Sequence, residues 1–120
     1  MKNIFFLLLI TVLFTPACTY NVEEELYPDT GCDTDNITYS GTIVPILETT
    51  CFICHGAGIN TGGITLEGYD NLKKVVDNGR LLGAIRREAG FTPMPQDQPQ
   101  LPDCTIEKIE IWVDAGALNN

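Results

Sequence analysis

The stretch Cys51-Phe52-Ile53-Cys54-His55 constrains this chain most strongly, because its histidine is the only one among 120 residues. Two cysteines separated by two residues occur in three kinds of site: a redox dithiol, half of a zinc site, or the covalent attachment point of a haem. Each kind requires different partners around the pair. The compartment and the flanking residues therefore decide among them.

The first residues have the pattern of an export signal. Met1 and Lys2 give a positive start, and an apolar run from Ile4 to Phe14 follows. That run is too short to span a bilayer, which needs about 20 apolar residues. We predict a signal peptide over residues 1–17 and a destination outside the cytoplasm.

The segment Thr15 to Cys18, "TPAC", resembles the lipobox of bacterial lipoproteins. In that case Cys18 becomes the lipidated first residue of a membrane-anchored lipoprotein that faces the periplasm or the cell surface. The alternative is an ordinary secretory signal cut near Ala17, with Cys18 incidental. We predict a polar, acidic tether over residues 18–31 and a single domain over residues 32–120.

Removal of the signal leaves six basic against 16 acidic residues, a formal charge of −10. This acidity excludes nucleic acid as a partner. A mature chain of about 100 residues is also small for a hydrophobic core, and such domains are often stabilised by a cofactor or a covalent link.

The chain has five cysteines. If Cys18 is lipidated and Cys51 and Cys54 act as a local pair, Cys32 and Cys104 remain. We expect these two to form a disulfide in an oxidising compartment, with two unpaired buried thiols as the alternative.

Hydrophobic spacing predicts a mostly helical domain with long irregular loops. The predicted helices are Val44–Cys54, a segment from Tyr69 that Asn78-Gly79 stops, a segment from Arg80 that Gly90 stops, and Pro102–Gly116. Ser40 or Thr42 is the expected cap of the first helix. The stretch 56–68, with five glycines, and the stretch 91–102, with four prolines, are predicted loops.

The surroundings of the motif favour haem. A structural zinc site needs four nitrogen or sulfur ligands, and the sequence offers no second half-site. A redox dithiol needs its cysteines at a helix N-terminus, whereas here the predicted helix precedes them. Two thiols on one helical turn can each bond a haem vinyl group, and His55 can then bind the iron. Cys-x-x-Cys-His in an exported chain is typical of this attachment.

Met94 is the candidate for the second axial ligand. It is the only methionine left after signal removal, and Pro93 and Pro95 stiffen the backbone on either side. Lys73, Lys74 and Tyr69 are weaker alternatives as ligands. Ordinary core packing is the other explanation for a single methionine.

These parts resemble a class I c-type cytochrome with one haem. The stretches "NGRLLGAI" (78–85), "GFTPMP" (90–95) and "LPDCTIEKIEIWVDAGA" (101–117) are similar to small exported bacterial cytochrome c domains. The resemblance covers about residues 32–118. It implies an all-α, cytochrome c-like fold in which three to four short helices and long irregular loops wrap around one covalent haem c. The first and last helices are expected to pack together.

The resemblance suggests seven haem or core contacts. They are Ile46, Leu47, Leu66, Leu82, Ile85, Phe91 and Trp112. Five of the six mature basic residues lie within fifteen positions: Lys73, Lys74, Arg80, Arg86 and Arg87. Either they form a solvated helix face, or Arg80 pairs with a haem propionate while the others help dock an acidic partner.

The function expected from these features is one-electron transfer by a membrane-tethered carrier with His55 and Met94 as axial ligands. Its partners would be periplasmic or surface redox proteins, and it would have no catalytic residue and no small-molecule substrate. One alternative is a haem-bearing docking subunit of a dehydrogenase or oxidase. A small haem peroxidase or sensor is disfavoured, because it needs an open sixth position at the iron.

Overall fold

A computed structural model describes residues 31–120, and this part of the chain contains helices and loops but no strand. The helices are α1 (Val44–Thr50), α2 (Phe52–His55), α3 (Tyr69–Asp77), α4 (Arg80–Ile85) and α5 (Asp103–Asp114), with a π-helical turn at Tyr39–Ile43 and a 3-10 turn at Thr61–Gly63. The prediction of an all-α domain is confirmed for these residues. None of these helices is long and apolar enough to cross a membrane. The predicted signal peptide, the lipidation at Cys18 and the tether up to residue 30 lie outside the described residues.

The first helical segment begins earlier than predicted. Thr38 is its cap, and the Thr38 hydroxyl accepts a hydrogen bond from the Gly41 amide at 3.1 Å. The prediction of Ser40 or Thr42 as the cap is therefore wrong. Pro45 has no amide proton, and a proline ring clashes with the carbonyl four residues earlier, so the backbone widens into a π-helical turn before it.

The predicted single helix over residues 44–54 is divided at Cys51. Here φ is −117°, and α1 ends while the one-turn α2 begins. The hydroxyl of Thr49 donates to the Pro45 carbonyl at 3.0 Å, and the hydroxyl of Thr50 donates to the Ile46 carbonyl at 2.6 Å. Such side-chain bonds compete with the backbone ladder and bend helices. They explain a bend that apolar spacing does not predict.

Helix α4 also ends earlier than predicted. Its last helical residue is Ile85 rather than a residue next to Gly90. Arg87 has a φ of +60°, and the Glu88 amide donates to the Gly83 carbonyl at 2.9 Å. This is a Schellman-type ending with arginine in the left-handed position that glycine usually occupies. The other boundaries are close to prediction, and residues 91–102 are non-helical as expected.

The hydrophobic core joins α5 to the π-helical turn and to α4, and α3 packs against α4. Its largest fully buried side chains are Trp112, Ile43, Leu47, Leu72 and Ile109. Of the seven predicted contacts, Leu47, Leu66, Ile85 and Trp112 are buried, whereas Ile46, Leu82 and Phe91 are half-buried. The first and last helical segments thus do pack together, through the π-helical turn.

Two tyrosines and the C-terminal residues surround Trp112. The Tyr39 ring stacks on Trp112 with centroids 5.9 Å apart, and the Trp112 indole donates to the Leu118 carbonyl at 2.9 Å. The Tyr69 hydroxyl donates to the Ala117 carbonyl at 2.8 Å. These bonds let the polar ends of aromatic side chains enter the core without loss of hydrogen bonding.

Cys32 and Cys104 lie at disulfide distance, with their sulfur atoms 2.05 Å apart. The bridge joins the start of the described part to the first turn of α5, across a sequence separation of 72. In the chain-entropy model, closing a loop of this length contributes about 4 kcal/mol to the free energy of unfolding.

Candidate functional site

The three reactive side chains of the motif lie on one helical turn. The amides of Cys54 and His55 both donate to the Cys51 carbonyl, at 3.1 and 2.8 Å. Cys51 is half-buried, Cys54 is exposed, and both thiols are free. The turn therefore presents two thiols three positions apart, followed at once by an imidazole.

The imidazole of His55 has one nitrogen engaged by the backbone. Its Nδ1 lies 3.1 Å from the carbonyl oxygen of Ile64. A carbonyl oxygen can only accept, so this bond requires the proton on Nδ1 and leaves the lone pair on Nε2. An imidazole held in this way is prepared to bind a metal through Nε2.

The Cys51 thiol is not set up for disulfide exchange. Burial raises its pKa, an effect that the hydrogen bond with the Thr50 hydroxyl at 3.3 Å partly opposes. Exchange catalysts use an accessible cysteine with a lowered pKa. Cys51 follows α1 and precedes only a single helical turn, which gives little help from a helix dipole.

The described residues do not provide the ligands of a zinc site. Among residues 31–120, no group of three or more His, Cys, Asp and Glu side chains is arranged to hold a metal ion. Structural zinc requires four such ligands.

The loop that carries Met94 is attached to α4 at two points. The first point is a hydrogen bond from the Met94 amide to the Ala84 carbonyl at 3.0 Å, and the second is a contact between Phe91 and Gly83. The Met94–Pro95 peptide bond in this loop is cis. The ring of Phe91 packs on Gly83 so closely that a Cβ there would lie 2.5 Å from the ring. Met94 itself is half-buried. Its backbone is thus fixed relative to α4, and its role as an axial ligand stays a prediction.

Two of the basic residues in and after α3 and α4 form ion pairs. Lys73 pairs with Asp77, and Arg86 pairs with Glu110 at 2.6 Å and with Glu88 at 3.4 Å. The hydrogen bond with Glu110 raises the pKa of Arg86 above its ordinary value. These ion pairs are exposed, so each contributes little to stability.

Arg80 differs from those paired residues. Its side chain is exposed, and its amide donates a hydrogen bond to the Asn78 side chain at 3.1 Å. Pairing of Arg80 with a propionate stays a prediction.

Arg87 donates to the Gln98 carbonyl at 2.6 Å and so holds the proline-rich loop.

Sequence reasoning identified the motif but not the residues that hold it. The Ile64 carbonyl bonds the His55 ring and the Glu67 carboxylate bonds the Ala57 amide just after the motif, and neither belongs to a recognisable pattern. A backbone acceptor leaves no signal in a sequence, because any residue type supplies the same carbonyl.

Comparison of the chain with protein-family models, with curated proteins and with solved structures finds no match.

Proposed function

We propose that this chain is a class I c-type cytochrome that transfers single electrons through one covalently bound haem c. The observation that carries the proposal is the motif turn itself. Two free thiols precede an imidazole whose Nδ1 is hydrogen-bonded to the Ile64 carbonyl at 3.1 Å, which leaves Nε2 for iron. Few other chemistries use all three of these features together.

The proposed attachment uses both cysteines. The thiols of Cys51 and Cys54 would hold the haem through two thioether bonds, each made by addition of an S–H bond across a vinyl group, with no leaving group and no net oxidation. The exposed Cys54 is open to approach, and the half-buried Cys51 faces the domain. When bound, the haem supplies an iron that gains and loses one electron.

In this proposal His55 and Met94 are the two axial ligands. The thioether of Met94 has no proton to lose, and histidine–methionine ligation raises the reduction potential. The attachment of the Met94 backbone to α4 favours a ligand that stays in place in both oxidation states. A fixed ligand pair limits reorganisation during electron transfer. The domain would then have the cytochrome c-like fold that the sequence resemblance implies.

The proposed location is outside the cytoplasm, where lipidated Cys18 anchors the chain to a membrane. The proposed partners are periplasmic or surface redox proteins, and Arg80 is the proposed contact for a haem propionate. Exchange of Arg80 for glutamine should then change the midpoint potential and its pH dependence, and unchanged values exclude the contact.

A docking subunit of a dehydrogenase or oxidase would use the same haem and the same ligands. A peroxidase or sensor would instead need an iron position open to a small molecule. Carbon monoxide distinguishes these classes. We expect the purified ferrous protein to resist carbon monoxide and to cycle reversibly between ferrous and ferric forms in a redox titration. Fast binding of carbon monoxide to the native protein contradicts the carrier function and favours the sensor or peroxidase.

A further inference from the structure

The segment 64–67 makes three hydrogen bonds with residues 55–57, at the end of the motif. The Ile64 carbonyl bonds the His55 ring at 3.1 Å, and the Leu66 amide donates to the His55 carbonyl at 2.8 Å. The Glu67 carboxylate accepts a hydrogen bond from the Ala57 amide at 2.7 Å. We call residues 64–67 the strap, since they bond both the ring and the backbone carbonyl of His55.

Only one of these three bonds depends on the side chain of a strap residue. Leu66 is buried in the core and fixes the middle of the strap. Glu67 fixes its C-terminal end, where the Asn71 side chain also donates to the Glu67 carbonyl at 2.9 Å. Bonds to an ionised carboxylate are shorter and stronger than those between neutral groups.

The Glu67 carboxylate lies next to Gly56, the residue that follows the motif. Gly56 is buried, and a Cβ at this position would lie 3.4 Å from a carboxylate oxygen of Glu67 and 2.8 Å from the Phe52 carbonyl. A residue larger than glycine would therefore clash with the Phe52 carbonyl, whereas its contact with the carboxylate oxygen would be an ordinary one.

We propose that Glu67 is a positioning residue for His55. By holding the strap against the residue after Gly56, its carboxylate keeps the Ile64 carbonyl on Nδ1 of the imidazole. That bond fixes the ring orientation and the tautomer, and so leaves the Nε2 lone pair for a metal. Partners that act on the second ring nitrogen of a ligating histidine tune the metal as well as orient the ring. This inference rests on the proposed function, in which Nε2 binds iron.

The test uses the single histidine of the chain. The full-length protein is labelled uniformly with 15N, and because the chain has a single histidine, every imidazole signal comes from His55. Solvent exchange of the Nδ1 proton is measured by NMR in the ferrous state, together with the exchange of the Leu66 and Gly56 amides. The variants are Glu67→Ala, which removes the acceptor, and Glu67→Gln, which keeps an acceptor oxygen. Glu48→Ala, at another exposed glutamate, is the matched control.

We expect Nδ1 proton exchange to accelerate about fivefold or more in Glu67→Ala, as for loss of one hydrogen bond. The Leu66 amide should accelerate with it, and the Gly56 amide, which bonds within the motif turn, should not. Glu67→Gln should recover most of the protection, and Glu48→Ala should match the unaltered protein. The midpoint potential should shift in Glu67→Ala and return towards its starting value in Glu67→Gln.

An unchanged Nδ1 exchange rate in Glu67→Ala overturns the inference. So does equal acceleration of all amides, including those of α5, because this shows a general loss of stability. The mass of the same samples reports whether haem is attached, so failure of the proposed function is seen separately. In a sample without haem, the tautomer in the same spectrum is the readout, and absence of the Nδ1–H form in the unaltered protein overturns the inference.

Discussion

The ring of Phe91 lies directly on the α-carbon of Gly83, so close that a Cβ on Gly83 would be 2.5 Å from the ring. This contact fixes the loop that carries Met94 to the side of α4. The nearby bond from the Met94 amide to the Ala84 carbonyl, at 3.0 Å, fixes the same loop a second time. The position of the proposed second ligand thus depends on a residue without a side chain.

Exchange of Gly83 for alanine should therefore destabilise the domain. Its methyl group must displace the Phe91 ring, and overpacking of this kind costs about 1–3 kcal/mol of the free energy of unfolding. Urea denaturation measures the loss. Gly58→Ala is the matched control, because a Cβ on Gly58 meets no atom within 4 Å. Equal stability of the two variants contradicts the packing described for Phe91.

Exchange of Met94 for alanine should leave the haem attached, since the covalent bonds to the haem come from Cys51 and Cys54. The iron should become high-spin through loss of a strong ligand. The midpoint potential should fall by on the order of 100 mV, within the range of about 0.8 V that axial ligands span. Optical spectra and a redox titration measure both effects. Leu118→Ala, at an exposed apolar residue, should change neither, and unaltered spectra in Met94→Ala reject the ligand assignment.

Removal of the Cys32–Cys104 bridge should lower stability without affecting the motif. A Cys32→Ser, Cys104→Ser double variant should lose about 4 kcal/mol of the free energy of unfolding, because its unfolded chain is no longer cross-linked. Peptide mapping without reductant should recover the two cysteines in one linked fragment from the unaltered protein. Recovery of both as free thiols shows that the bridge does not form.

Alkylation should distinguish the two motif cysteines in a chain made without haem attachment. The thiolate is the reactive form, and burial raises the pKa of the Cys51 thiol. Cys51 should therefore react more slowly than the exposed Cys54, and its rate should keep rising at pH values where an ordinary thiol is already ionised. The difference should vanish in denaturing urea. A Cys51 that reacts faster than Cys54 favours the redox dithiol instead.

The same raised pKa has a consequence for stability. The fold favours the protonated thiol of Cys51, so its contribution is complete at pH values below the unfolded pKa. It is lost as the pH rises through the higher pKa of the folded state. In the haem-free chain this loss falls on the alkaline side of neutrality.

Helices and their order follow from features that a sequence displays. Apolar spacing predicts Ile106, Ile109, Trp112 and Val113 as one apolar side of α5, and the first three are buried while Val113 is half-buried. Asn78-Gly79 predicts the end of α3, which stops at Asp77. Such signals are local, because they depend on helical period and on the conformational freedom of glycine.

The corrections to the first helical segment concern bonds between a side chain and the backbone, and the correction to α4 concerns a backbone bond at its end. The hydroxyls of Thr49 and Thr50 bend the first helix, and Arg87 takes the left-handed position expected of Gly90. The strap depends likewise on a carboxylate that meets an amide ten positions away. The two threonines bond the carbonyl four residues earlier, a spacing open to any helical threonine, and the bond of Glu67 has no characteristic spacing, so apolar periodicity predicts neither.

The most direct test of the proposed function is the mass of the purified protein after expression with a haem-attachment system. The account predicts one haem per chain, retained after denaturation in acidified organic solvent that strips non-covalent haem. It also predicts loss of that mass in a Cys51→Ser, Cys54→Ser double variant, with the haem kept in Cys32→Ser, Cys104→Ser. A protein that matures under these conditions without added haem mass contradicts the account.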